Sequence, residues 1–304
     1  MLRFEVMARM SEALVNPEIL RWARERAAMS VVVLADKLKT SAEKLVAWES
    51  GDKCPSFAQA EAFADKVHVP FGFLFLPAPP EDKLPIPDLR TQAGAPRDRF
   101  SADFLDLLRD VMFQRDWFRD YLLEQGAEPL PFVGRFSADA SPEIVAADIR
   151  AVLGIAPNGA VSRDLSEFSE ICERAGIWVM KTGFVGSNNH RTLSVADFRG
   201  FAVADVIAPL VVVNGRDAKA AQAFTLAHEL AHLWLGQSGI SDPYLGRNGA
   251  EDSGTERQCN AIAAELLVPR AGFLDLWDDL RPLPDNAQNL ARHFKVSRVV
   301  IARR

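Results

Sequence analysis

The sequence predicts an α+β fold, mainly helical: an all-α N-terminal domain of short helices, a mixed domain with a small β-sheet, and a C-terminal helical segment. Three observations lead there. Residues 1–76 show helical periodicity punctuated by start and stop signals. Residues 177–215 drop to a period of two, the pattern of strands. Between strands and tail lies "AAQAFTLAHELAHLWLG", an apolar helical stretch carrying His228, Glu229 and His232, two of only five histidines in the chain.

Composition narrows the class. With 304 residues the chain can build two or three domains, and 48% hydrophobic with 25% charged residues is ordinary for a globular protein. Thirty-five basic against 41 acidic residues leave a net charge of −6, so the chain as a whole is not drawn to nucleic acid or anionic lipid. Cys54, Cys172 and Cys259 are odd in number and widely spaced, which argues against a disulfide framework or a cysteine-only zinc site and fits a reducing compartment. No segment has the length of a membrane span, and the N-terminus lacks the apolar core of a signal peptide. A cytoplasmic location is expected.

The elements follow in order. Asn16-Pro17 caps and opens "EILRWARERAAM". Ser30 caps "VVVLADKLK". Thr40 and Glu43 suit a capping box for "SAEKLVAWES", which Gly51 closes. Pro55-Ser56 opens "FAQAEAFADKV", and "PFGFLFLP" forms a last apolar turn. Trp48, Phe57 and Phe63 are expected in the core. The proline-rich run from 77, carried to about residue 100, reads as a semi-rigid linker. Ser101 caps a long helix to about Gln125, Ser141-Pro142 starts another, and a third stops at Gly176. The strands "IWVMKTGFV", "VADFRGFAVAD" and "APLVVVNG" come next, then a helix from Asp217. The mixed domain is expected over 101–280. Residues 281–304 are expected to form a helix–turn–helix-like tail, and the lack of a C-terminal stop signal leads to the expectation of a truncated sequence.

Residues four apart lie on one helix face, so His228 and His232 can aim two imidazoles at one point. Glu229 is offset by about 100° and can reach a water between them. This H-E-x-x-H pattern binds zinc through two neutral imidazoles, with the glutamate as general base. Two core histidines with backbone partners are the plain alternative, but an uncompensated carboxylate in an apolar helix costs several kcal/mol, roughly. A hydrolytic site needs a third ligand and an open position. His293, Asp242, Glu251, Asp252, Glu256 and Glu265 are candidates. On "TERQCNAIAAELLVP", Glu256 lies between Cys259 and Asn260 on the face of Ala263 and Leu267, whereas Glu265 points to the opposite side, toward solvent. Glu256 then needs a counter-charge: a zinc ion, or an arginine in a buried salt bridge. Asn260 sits one turn on, placed to orient a ligand.

"FTLAHELAHLWLG" followed by "ERQCNAIAAELLVP" resembles the ImmA/IrrE family of zinc metallopeptidases, and "DFRGFAVADVIAPLVVVNG" is similar to that family's strand pair. Residues 19–75 resemble the Xre, lambda-repressor-like, helix–turn–helix module often fused ahead of such peptidases. The resemblance implies a zincin-like metallopeptidase domain with one Zn2+ per chain on His228, His232 and Glu256, and Glu229 as base. It also implies a role in bacterial stress, phage or toxin–antitoxin regulation through cleavage of a partner such as a repressor, antitoxin or toxin.

DNA binding by the N-terminal module is less well supported. Its reading helix offers Ser41, Glu43 and Lys44 but no arginine, and residues 1–76 hold ten Lys/Arg against ten Asp/Glu. Docking of a protein partner or a second copy of the chain, as a homodimer, is the alternative use. In the mixed domain, "DFRGFAVAD" is the expected edge strand for an extended substrate. Tyr244 and His190 are candidate oxyanion stabilisers. The loop "SDPYLGRNGAEDSG" is a candidate flap. A competing function is a non-catalytic antitoxin or transcriptional regulator that keeps the metal as a structural staple.

Overall fold

The computed structural model describes residues 12–81, 84–89, 100–161, 164–241, 254–302 and 304. It is a mixed α+β structure, about half helical, with one four-stranded sheet and a separate two-stranded hairpin. The chain divides into two compact units, Met1–Lys83 with Phe100–Ala102, and Leu84–Arg99 with Asp103–Arg304. No helix among the described residues is long and apolar enough to cross a membrane.

The first unit holds α1 (Pro17–Arg26), α2 (Val31–Lys37), α3 (Ala42–Ser50), α4 (Phe57–Val67) and a 3-10 turn, Phe71–Phe75. Asn16 and Ser30 cap α1 and α2 through their side chains. Helix α3 begins differently from the Thr40–Glu43 expectation: Ser41 is the cap, its Oγ accepting from the Lys44 backbone. The reciprocal capping box lies instead at Ser56 and Gln59, opening α4. Gly51 ends α3 with φ of 83°, where a side chain would be strained. Ile19, Leu20, Leu34, Leu45, Trp48 and Phe63 form the core. Phe57 departs from expectation. It is 41% exposed and packs sideways on Phe71 and Phe75, because its position at the start of α4 lies outside the helix bundle. Inside the bundle Arg24 Nε and Nη2 donate to Glu49 Oε1 and Oε2 at 2.7 and 2.8 Å, clamping α1 to α3.

In the second unit α5 (Ala102–Glu124), α6 (Pro142–Val152) and α7 (Leu165–Arg174) precede the strands. These are β1 (Trp178–Thr182), β2 (Phe184–Val185), β3 (Asn188–Thr192), β4 (Gly200–Val203) and β5 (Leu210–Asn214), followed by α8 (Lys219–Trp234), β6 (Gly239–Ser241) and α9 (Gly254–Leu267). Three helices close the chain: α10 (Arg270–Leu276), α11 (Leu283–His293) and α12 (Arg298–Ala302). Sheet order is β1-β5-β4-β6; β1 and β5 are parallel, and the β4 pairings are antiparallel. The expected edge strand "DFRGFAVAD" is therefore wrong: β4 is interior and wholly buried, because β6, which returns after α8, pairs along its free side. Helix α8 begins two residues later than the expected Asp217, with Ala218 at the cap and no side-chain bond there, while Asp217 pairs with Arg199. The segment 281–304 shares the main core through Leu290, Phe294, Val300 and Ile301.

Replacing Arg24 with alanine would strand a buried carboxylate, since Glu49 is only 6% exposed. The expected loss is about 3 kcal/mol from the first unit. Hydrogen exchange of α1 and α3 amides in the full chain checks it; unchanged protection would mean the pair contributes nothing.

Candidate metal centre

Helix α8 is rich in alanine, a strong helix former with little bulk, so it can lie close to the sheet. Gly200 on β4 makes that approach possible: a Cβ there would stand 2.7 Å from Glu229 Oε1. Helix α9 packs on α8 and α6, bringing a second polar face inward. His228, Glu229 and His232 are fully buried, and Glu256 is 7% exposed.

Four candidate ligand atoms converge, two imidazole nitrogens and both oxygens of Glu256. His228 Nε2 and His232 Nε2 are 3.1 Å apart, and each lies 3.2 Å from a Glu256 carboxylate oxygen. Asn260 Oδ1 lies 3.0 Å from His228 Nδ1. An amide oxygen can only accept, so that nitrogen carries the proton and Nε2 keeps its lone pair for the convergence point. A tetrahedral ion with bonds of about 2.0–2.2 Å asks for donors about 3.3–3.6 Å apart, so spacings of 3.1–3.2 Å come close to what a small divalent ion needs.

With no cation bound, the imidazoles themselves supply the counter-charge to Glu256. Burial alone would raise the Glu256 carboxyl, but the His228 charge and the bonds from both imidazoles hold it well below the usual carboxylate range. Burial lowers His232, and it also opposes the charge on His228, where Glu256 and Glu229 outweigh it and raise the group. Glu229 is pushed up to about 8 by burial, against the pull of His228 and Ser241. The Ser241 hydroxyl donates to Glu229 Oε1. Glu229 Oε2 and His232 Nδ1 are buried with no hydrogen-bond partner among the described residues.

Other expected residues fall elsewhere. Glu265 is a correction: it is only 8% exposed, paired with Arg304 and accepting from the Arg270 amide at 2.9 Å. It does point away from Glu256, but the side it points to is covered by α10 and the chain end. His190 is exposed on β3, its backbone donating to Asn188, and makes none of the cluster's contacts. His293 is exposed at the end of α11. Tyr244, Asp242, Glu251 and Asp252 lie outside the described residues, as does most of the candidate flap. Ser41 serves as a helix cap, and the Lys44 ammonium sits 5.5 Å above the Trp48 ring.

Two contributors escaped the sequence reading. Cys259 joins His228 and His232 in a buried group whose ligand atoms lie within 4.8 Å of one another and could hold a metal. Its place beside Glu256 on one helix face was the available signal. Burial, with the Glu256 and Glu229 carboxylates near it, pushes its thiol well above the ordinary value. Ser241 had no signal, because only the β4–β6 register brings it to Glu229.

Residues 172–304 match the model of the IrrE N-terminal-like domain, Peptidase_M78, a metal-dependent peptidase family. No curated protein matches the chain. The match to the IrrE-like domain takes in the whole sheet, both metal-facing helices and the C-terminal helices, and leaves residues before 172 outside it.

About one zinc per chain is expected, and none in His228→Ala or His232→Ala, as metal analysis would read. Glu256→Ala should lose zinc sharply, and Asn260→Leu should weaken binding about 10–100-fold. Glu265→Ala should keep zinc but lower the melting temperature. Zinc loss in that last variant would overturn the register assigned to α9.

Proposed function

We propose that the chain is a zinc-dependent endopeptidase that cleaves a partner regulatory protein of the repressor or antitoxin kind, with the N-terminal unit holding that partner. The observation that carries the reading is the closed triangle of His228, His232 and Glu256 with Glu229 beside it, one carboxylate oxygen held and the other open. A zinc ion bound to the triangle would supply Lewis-acid polarisation of water and of the scissile carbonyl. The rest falls to side chains. Glu229 takes the proton of the attacking water on Oε2 and passes it to the leaving amine. Ser241 fixes the carboxylate's rotation through Oε1, and burial keeps its proton affinity near neutrality, where transfer in both directions is easiest. Asn260 holds the His228 ring in the tautomer a metal needs.

The N-terminal unit supports partner docking over operator reading. Val32, Val33 and Val46 are 69%, 48% and 51% exposed on α2 and α3, the helices a DNA reader would present. Apolar side chains there serve a protein surface better than a phosphate backbone. A second reading, a non-catalytic regulator with a structural metal, is favoured by one observation: Cys259 could complete a four-ligand set and close the position a substrate needs.

Two measurements decide among these. Glu229→Gln should keep zinc and fold while hydrolysis of a confirmed partner falls at least about a hundredfold, because an amide takes up no proton. Wild-type cleavage by this variant would remove Glu229 from the reaction, and full zinc with no cleavage by the wild type would favour the structural metal. Titration of the full chain with its own promoter DNA at two salt concentrations should show only micromolar, sequence-blind binding, roughly at the non-specific level. Nanomolar affinity with a steep salt slope would restore an operator-binding role.

A further inference from the structure

Two strands bound the sheet, and they differ in what lies beside them. Strand β1 stands at the far end from β4. Strand β6 carries Ser241, which holds Glu229, so its outer edge is the one that runs beside the candidate catalytic carboxylate. That edge is occupied by the chain itself. Ile240 donates its outward N–H to the Pro87 carbonyl at 2.9 Å, and Asp88 bridges Ile240 in the parallel sense. Ile86 and Leu89 flank the contact at 4% and 9% exposure. Leu89 fills the space a Cβ on Gly239 would need.

The sequence of this segment, "LPIPDL", suits the role. Pro85 and Pro87 have no N–H, so they accept from a strand without requiring an acceptor in return. They also hold the backbone extended before it docks, which reduces the entropy lost on binding. Covering an edge protects against aggregation wherever it occurs. Here the covered edge is also where a peptide could pair by strand addition and lie next to the reacting groups.

We propose that the outer edge of β6 is the docking strand for an extended peptide with an apolar residue seated on Gly239, and that residues 84–89 hold it in cis. This rests on the peptidase reading for its purpose, but not for its test. A tethered segment competes at an effective concentration on the order of millimolar. An incoming peptide must outbind it, or a partner must first draw the tether away.

The test uses the full chain in two forms that free the edge: Ile86→Ser with Leu89→Ser, and residues 84–89 replaced by alternating glycine and serine. The probe is the synthetic peptide LPIPDL with an N-terminal fluorophore, followed by polarisation. Hydrogen exchange of the Ile240 amide is read in parallel, with β5 amides as the control for folding. Both forms should exchange Ile240 at least tenfold faster than wild type, bind the probe at least tenfold more tightly, and regain Ile240 protection when it is added. Unchanged exchange at Ile240, or probe affinity equal to wild type in both forms, would overturn the proposal. Because both readouts report binding, they stand if the chain hydrolyses nothing. A gain in affinity with no hydrolysis would leave the docking edge in place and count against the peptidase reading alone.

Discussion

Everything in the second unit depends on one unfavourable demand: two imidazoles and two carboxylates, from α8 and α9, share one buried space. A carboxylate in such a place costs several kcal/mol, roughly, unless a charge or a set of hydrogen bonds compensates it. The chain supplies part of that. Asn260 takes one His228 proton, Ser241 satisfies one oxygen of Glu229, and Glu256 lies against both imidazoles. What remains is a convergence point of acceptors that a cation would complete, and a single open oxygen on Glu229.

The scaffold around this space is built so that backbones can come close. Gly200 leaves out a Cβ that would stand 2.5 Å from Thr225 and 2.7 Å from Glu229 Oε1. Gly236, with φ of 67°, turns the chain out of α8 so that β6 can return along β4. That return makes β4 interior, makes β6 the edge, and places Ser241 at the carboxylate. Rigidity is bought by long-range packing: α9 presses on both α8 and α6, and the C-terminal helices close the same core behind it. Glu265 contributes on the reverse side of α9, where its pairing with Arg304 fastens the end of the chain to the metal-facing helix.

The first unit has its own organising contact in the Arg24–Glu49 pair, which is buried and bidentate. A guanidinium committed inward in this way is not available to a phosphate backbone. The exposed Val32, Val33 and Val46 interrupt an outer surface of α2 and α3 that otherwise mixes acidic and basic side chains.

Local geometry was legible in the sequence. The i, i+4 spacing of His228 and His232 and the helical offset of Glu256, Cys259 and Asn260 are properties of one helix each, and 3.6 residues per turn sets them wherever the helix lies. Caps at Asn16, Ser30 and Ser56 and the stop at Gly51 were likewise readable, since each involves only three or four neighbouring residues. Tertiary structure decided the rest. Periodicity showed that Glu265 opposes Glu256, but whether that side meets solvent or Arg304 depends on a segment almost forty residues further on. Alternation marked β4 as a strand without saying whether it lay inside or at the edge, because pairing partners are chosen across the chain. The same holds for Ser241 at Glu229 and for "LPIPDL" against β6: each contact joins segments remote in sequence, and no local pattern encodes which remote surface will be covered.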